Sequence, residues 1–384
     1  MKRMLAAVLF TALAASAYAQ DAYVVGLTGA LTGQGASTLA PVIESMKAYV
    51  DQLNGKGGVN GKPIKLVVLD DQAQPSKAAA NAKRLVAEKD LVLLINSSLS
   101  STYAPTMAEA KRAGIPLFFA GAVCPPEVYP PANPLFFCST AFGAQYDSQF
   151  AMDFVKENTT GPVKIGFSAM AIPLSRGEID YAEELSKTLG MTPVDKEIVP
   201  PPTPDYTPFA TKLKEANPNW VYSWAPWVTQ VKTFESLRRL GWEGSYIAYG
   251  HIMAEDELAR LKDGGFYVFG TNAFFQDDLP VLAKIRSLAE GATLSYPVTW
   301  LTEGYVAALV LEAALQGTPW PPTPAKVQAA MSNLKVDTHG LRGGPIEWTA
   351  QNHFRTQQYY RVYRWDPNKN GVALVKDWTG LEVK

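Results

Sequence analysis

His251, His339 and His353 are the three histidines of the chain, and none belongs to an H-E-x-x-H pair or a Cys/His cluster. Zinc hydrolysis and a structural zinc site are therefore not expected. No G-x-S-x-G elbow presents a nucleophilic serine. The stretch Gly29-Ala30-Leu31-Thr32-Gly33-Gln34-Gly35 lacks the lysine of a phosphate-binding loop and the spacing of a dinucleotide fingerprint. Asp70-Asp71 reads as a solvated turn capping the next helix, ahead of a catalytic carboxylate pair. No catalytic residue, metal ligand or cofactor site is assigned.

Recognition chemistry is easier to find. Ser97-Ser98-Leu99-Ser100-Ser101-Thr102 ends one strand and opens a helix. Hydroxyls and free N–H groups at a helix start make a neutral cradle for a carboxylate. A single serine would suffice as an ordinary cap, so the run favours a site. Ala120-Gly121-Ala122 follows the next strand and offers bare backbone. Trp224-Ala225-Pro226-Trp227 places two indoles at a later strand end, where lobe packing and ligand stacking weigh about equally.

These turns are positioned by alternating strands and helices. Short apolar runs at Tyr23–Leu27, Ile64–Leu69, Leu91–Ile95 and Ile115–Phe119 read as strands. Helices are expected over Ser37–Leu53, Pro75–Lys89 and Tyr103–Ala113 between them. Nearly continuous apolar strands of this kind form parallel sheets covered on both faces. The pattern restarts with helix Gln145–Glu157 and strand Val163–Phe167. Helices Glu178–Leu189 and Pro208–Ala216, strand Trp220–Trp224, helix Val228–Leu240, and strands Tyr246–Tyr249 and Phe266–Phe269 follow. Helices near Leu279–Leu288, Trp300–Leu315 and from Pro324 precede the closing strands Gln358–Trp365 and Val372–Trp378. The fold class is α/β, with two doubly wound units and a third segment. In such sheets ligands bind beyond the carboxyl ends of the strands.

The chain has 384 residues, enough for two or three domains, and 35 Lys+Arg against 36 Asp+Glu. A net charge of −1 without basic runs argues against nucleic acid as a partner. Lys2 and Arg3, the apolar stretch Leu5–Ala15 and Ala17-Tyr18-Ala19 read as a secretory signal cleaved after residue 19. Cleavage removes two positive charges and leaves −3. No later stretch reads as long and apolar enough to span a bilayer, so a periplasmic location is expected. The two cysteines, Cys124 and Cys138, are expected to form a disulfide in that oxidising compartment. Their loop, rich in proline, is expected to hold little regular structure. Closing it is worth about 3 kcal/mol in the chain-entropy picture.

Leu27-Thr28-Gly29-Ala30-Leu31-Thr32-Gly33, Asn54-Gly55-Lys56-Gly57-Gly58-Val59-Asn60-Gly61-Lys62-Pro63-Ile64 and Leu69-Asp70-Asp71 resemble the substrate-binding proteins of ABC importers for branched-chain amino acids. So do Ala104-Pro105 and Gly114-Ile115-Pro116 after the serine turn, and Tyr305-Val306-Ala307-Ala308 in a late helix. The resemblance covers essentially the whole mature chain. It implies a type I periplasmic binding protein of two lobes, each built on a doubly wound, mostly parallel sheet. Lobe 1 would comprise residues 20–140 and 272–358, and lobe 2 residues 141–271 and 359–384. Three hinge crossovers would lie near Thr140–Ala141, Gly270–Asn272 and Gln358–Arg361. It further implies transport without catalysis, with ligand closing the lobes and the closed form docking on a membrane permease. A monomer is expected.

Residue by residue, Ser100 falls on the family's carboxylate-binding serine, and Gly121 and Ala122 on its backbone contacts. Val123 replaces a threonine whose hydroxyl usually helps. Leu174-Ser175-Arg176-Gly177 replaces an aromatic that usually precedes a glycine. The turn Tyr249-Gly250-His251-Ile252 holds no carboxylate where the family pairs one with the ligand's ammonium. The candidate ligand-binding residues are Ser100, Ser101, Ala120, Gly121, Ala122, Val123, Ser175, Arg176, Trp224, Pro226, Trp227, Tyr249 and His251. Their chemistry points to a small hydrophobic or aromatic carboxylic acid without an α-ammonium. Arg176 would pair with a carboxylate, and Trp224, Trp227 and Tyr249 would stack on a ring. A branched-chain amino acid is the alternative ligand, and a sensor module presenting ligand to a membrane receptor is the alternative role.

Overall fold

The computed structural model describes residues 22–384, so the expected signal, residues 1–19, lies outside the described residues. The first sheet is built from β1 (Tyr23–Gly29), β2 (Ile64–Asp70), β3 (Leu91–Ser97), β4 (Leu117–Phe119) and β5 (Phe136–Cys138). Helices α1 (Ala36–Gly55), α2 (Pro75–Leu85) and α3 (Tyr103–Ala113) connect the first four strands. The order is β2-β1-β3-β4-β5, with every neighbouring pair parallel. Strands β1 and β3 are buried along their full length, which is why they read as unbroken apolar runs.

The chain then lays down α4 (Gln145–Glu157), β6 (Lys164–Met170), α5 (Pro173–Thr188), β7 (Thr192–Val199), α6 (Thr207–Glu215) and β8 (Trp220–Ser223). It continues through α7 (Trp227–Arg239), β9 (Ser245–Tyr249), α8 (Ala254–Leu261) and β10 (Phe266–Gly270). Helices α9 (Pro280–Gly291), α10 (Thr302–Gln316) and α11 (Pro324–Met331), with the small ladder of β11 (Lys335–Val336) and β12 (Ile346–Glu347), pack on the first sheet. The closing pair β13 (Gln357–Asp366) and β14 (Gly371–Glu382) joins the second sheet. That sheet runs β14-β13-β10-β9-β8-β6-β7, parallel from β7 to β10 and antiparallel at its last two pairings. The result is an α/β molecule of two lobes, as the resemblance implied; the third segment of the strand pattern divides between them.

Several elements differ from expectation. Strand β7 was not apparent because Thr-Pro-Val-Asp-Lys-Glu-Ile-Val carries charges on a half-exposed sheet edge. Helix α5 begins at Pro173, well before Glu178, because a proline is tolerated in the first turn. The Cys124–Cys138 disulfide is present, and its loop contains β5, which pairs with β4. Val298–Gln316 is, among the described residues, the one helix long and apolar enough to cross a bilayer, contrary to the expectation of none. It lies mostly buried in the first lobe. There a side chain at Gly304 would meet the Val42 carbonyl of α1 at 2.1 Å, and Ser45 Oγ donates to the Leu301 carbonyl at 2.8 Å.

The chain crosses between the sheets at residues 139–144, 271–279 and 348–356. Gln358–Arg361, expected at a hinge, stands inside β13. The crossings are tied together around Ala141, whose carbonyl accepts from Thr271 Oγ1 at 3.1 Å and Gln358 Nε2 at 2.8 Å. Arg355 of the third crossing donates to the Thr140 carbonyl.

Candidate functional site

Strand order reverses between β1 and β3 in the first sheet and between β6 and β8 in the second. Loops leaving the carboxyl ends of such strand pairs diverge and open a crevice. The two crevices face each other across one cavity of about 480 Å³ of empty volume, counting its opening to solvent. The first lobe contributes Thr38 and Leu39 of α1, Leu99 and Ser100 after β3, and Gly121–Val123 after β4. Phe142 enters from the first crossing. The second lobe contributes Ile172, Leu174 and Ser175 at the start of α5, Trp224–Pro226 after β8, and His251 after β9.

The serine turn is organised from below by a buried carboxylate. Asp71 accepts from Thr28 Oγ1 at 2.9 Å, Ser98 Oγ at 2.7 Å and the Ala73 N–H at 2.8 Å. Burial pushes its pKa above the ordinary carboxylate value, against those hydrogen bonds. The expected solvated cap is thus, at Asp71, a fully buried brace joining β1, β2 and β3. Its neighbour Asp70 holds the glycine-rich loop through Thr32 Oγ1 at 2.5 Å. Ser98 and Thr102 are consumed by local hydrogen bonds, whereas Ser100 Oγ is buried with no partner. An unpaired buried hydroxyl is costly, and Ser100 leaves one at the cavity wall. Gly121 adopts φ +95°, and a Cβ there would press on Val42 Cγ1 at 2.7 Å and Ser97 Oγ at 2.8 Å. Only glycine lets the backbone sit at the cavity wall in this way.

The second-lobe wall is aromatic and neutral. Phe142 is placed by a β-bridge to Val123, whose carbonyl accepts from Tyr103 Oη at 2.6 Å. Its ring stacks on Tyr249 at 4.1 Å, and Trp224 and His251 approach it at 5.6 and 4.7 Å. Trp224 Nε1 donates to Asp147 Oδ2 at 2.9 Å, which fixes the indole and leaves its ring to the cavity. Burial drives the His251 pKa down to about 3, against a backbone hydrogen bond with Ala225, so the imidazole is uncharged at neutral pH. Among the described residues no charged side chain lines the cavity. Among the described residues no three His, Cys, Asp or Glu side chains gather as a metal site.

Of the residues singled out in the sequence, Ser100, Gly121, Ala122, Val123, Ser175, Trp224, Pro226 and His251 meet at this cavity. Ser175 Oγ is already engaged, accepting from the Met170 N–H at 3.0 Å and donating to the Trp224 carbonyl at 2.6 Å. Five others do not line it. Ser101 is half-buried within the 3₁₀ turn Ser100–Thr102, and the Ala120 N–H is spent on the Asn96 carbonyl at 3.0 Å. Tyr249 is fully buried beneath Phe142. Trp227 faces an adjoining groove. Arg176 is exposed, because a helix starting at Pro173 turns Leu174 and Ser175 inward and carries the next side chain out to solvent. Glu255 and Asp256, the nearest acids after the Tyr249–Ile252 turn, also lie elsewhere. Glu255 accepts from the Phe275 and Gln276 N–H groups at 2.6 and 3.1 Å, and Asp256 from Trp300 Nε1 at 2.6 Å. Sequence reasoning missed Thr38, Leu39, Leu99, Phe142, Ile172, Leu174 and Ala225 as wall residues. The strand-end turns pointed to Leu99, Leu174 and Ala225, but Phe142 depends on the path of a crossing.

Two doubly wound lobes, three crossings and a ligand-sized cavity between facing strand ends define the fold of a two-lobed substrate-binding protein. The chain belongs to the periplasmic binding protein family, which residues 22–371 match. It is 24% identical over 369 residues to an amino acid binding protein of Pseudomonas aeruginosa, covering 95% of this chain and 96% of that one. Its fold is similar to a branched-chain amino acid ABC transporter protein of Thermus thermophilus with bound valine (TM-score 0.80, 17% identity, 94% and 97% coverage). It is also similar to a fatty acid ABC transporter substrate-binding protein of Thermomonospora curvata (TM-score 0.79, 16% identity, 94% and 93% coverage).

Proposed function

We propose that this protein captures a small apolar carboxylic acid without an α-ammonium between its lobes and delivers it to the membrane permease of an ABC importer. One observation carries the reading. The cavity offers a single unpartnered buried hydroxyl, Ser100 Oγ, amid apolar walls, and no charged side chain. A carboxylate there receives the Ser100 hydroxyl and the backbone beside Gly121 and Ala122, while Trp224 and Phe142 cover its apolar part. Arg176 takes no part in this arrangement. An α-ammonium brought into the same desolvated space meets no carboxylate, a loss of several kcal/mol.

The second reading is a branched-chain amino acid, favoured by the valine and amino acid relatives. It leaves the ammonium to hydroxyl and carbonyl oxygens alone. A thermal-shift screen of the purified protein against aliphatic acids, aromatic acids and amino acids separates the two. A true ligand at 100 times its Kd adds about 2.7 kcal/mol of stability. Shifts confined to amino acids refute the acid reading. Release from the cell envelope by osmotic shock, and ligand-dependent capture of an ABC-importer permease, test the location and the delivery role against a sensor role.

A further inference from the structure

A neighbouring space lies on the other side of Leu99 from the cavity. This second chamber has about 620 Å³ of empty volume, and the two have Thr38, Leu99 and Pro226 as common walls. Like the first, it lies between the lobes. Gln34, Gly35 and Ser37 face Met170, Pro202, Tyr206, Trp227 and Val228 across it, and Gln34 Nε2 reaches Met170 Sδ at 3.6 Å. No charged side chain lines it. Two features of its wall are left unsatisfied by the protein's own contacts. Trp227 is fully buried, yet its Nε1–H has no hydrogen-bond partner among the described residues. Val228, beside it at the start of α7, leaves 48% of its surface exposed, among the few large apolar side chains so placed. A solvated cleft mouth favours polar side chains. Apolar walls beside a ligand cavity favour more of the same ligand.

We infer that the two chambers form one elongated site, with the acid group at Ser100 and the distal apolar tail passing Leu99 and Pro226 into the outer chamber. The inference rests on the acid reading given above and extends it to a size class. The ligand is a carboxylic acid whose chain is longer than a branched-chain amino acid side chain. Thr38, Leu99 and Pro226 form the waist that such a chain threads.

Calorimetric titration of the purified protein with linear saturated acids from butanoate to dodecanoate tests this. Affinity is expected to rise about threefold to fourfold per methylene along the series, as burial of each CH₂ implies. Val228→Trp places an indole in the outer chamber at an exposed position, so the fold is not at risk. In that variant the short acids bind as in the parent and the rise stops several carbons earlier. A parent series that levels off at the same length as the variant's overturns the elongated site while leaving acid binding intact. Failure of every acid to bind overturns the acid reading itself.

Discussion

Glu303 ties three segments together at the junction between the lobes, and replacing it with alanine should be severe. Its Oε1 accepts from the Ala141 N–H at 3.1 Å, and its Oε2 accepts from Asn272 Nδ2 at 3.2 Å and Arg342 Nη2 at 2.8 Å. Those donors belong to the first crossing, the second crossing and the segment between β11 and β12. Arg342 and Glu303 are both almost fully buried. Among the described residues Arg342 Nε and Nη1 have no hydrogen-bond partner, so Glu303→Ala leaves a buried cation uncompensated. Breaking one side of a buried pair in this way costs about 3–5 kcal/mol. With an unfolding entropy near 2.1 cal/mol/K per residue, that is a fall in Tm of about 4–7 °C for a chain of this length. Circular dichroism melts and urea titrations at neutral pH measure it. Glu303→Met with Arg342→Met should recover much of the loss, since an apolar pair of similar volume is tolerated where a lone charge is not. A Tm within 1 °C of the parent for the single variant would refute the idea that this pair holds the crossings together.

Ser100→Ala should weaken binding of an apolar acid by about 5- to 150-fold, the loss of a hydrogen bond worth 1–3 kcal/mol to a charged group, while Ser101→Ala leaves it unchanged; isothermal titration reads both. The pH dependence of stability should carry the mark of Glu178, whose pKa burial and the neighbouring Asp147 raise from 4.5 to about 8. The folded chain keeps that proton to about pH 8 whereas the unfolded chain releases it near 4.5, so this contribution is lost as pH climbs between those values. Glu178→Gln retains the acceptor for the Ser148 N–H and should flatten the decline in Tm between pH 5 and pH 8; an unaltered slope assigns the decline to other groups.

Legibility in the sequence followed the range of the interactions involved. The two doubly wound α/β units were legible because β1, β3, β6 and β8 are buried and almost uninterrupted by polar residues, whereas their division into two lobes came from the family resemblance. Edge strand β7 and the short, strongly acidic helix α8 carry too many charges to give that signal. At the site, Ser100 and Gly121 were legible because a strand end and a required glycine are local features. Arg176 was misplaced because its direction hangs on the residue at which α5 begins, and two residues of helix phase reverse the face. Phe142 covering Tyr249 is a contact between a crossing and the second sheet, which no local pattern encodes.

The most direct test of the central claim compares leucine with 4-methylpentanoate, the same molecule without its ammonium, by calorimetry on one preparation of the protein. An uncharged cavity without a carboxylate predicts that 4-methylpentanoate binds at least tenfold more tightly, about 1.4 kcal/mol, with a change in tryptophan fluorescence from Trp224. Tight binding of leucine with no measurable binding of 4-methylpentanoate would contradict the account.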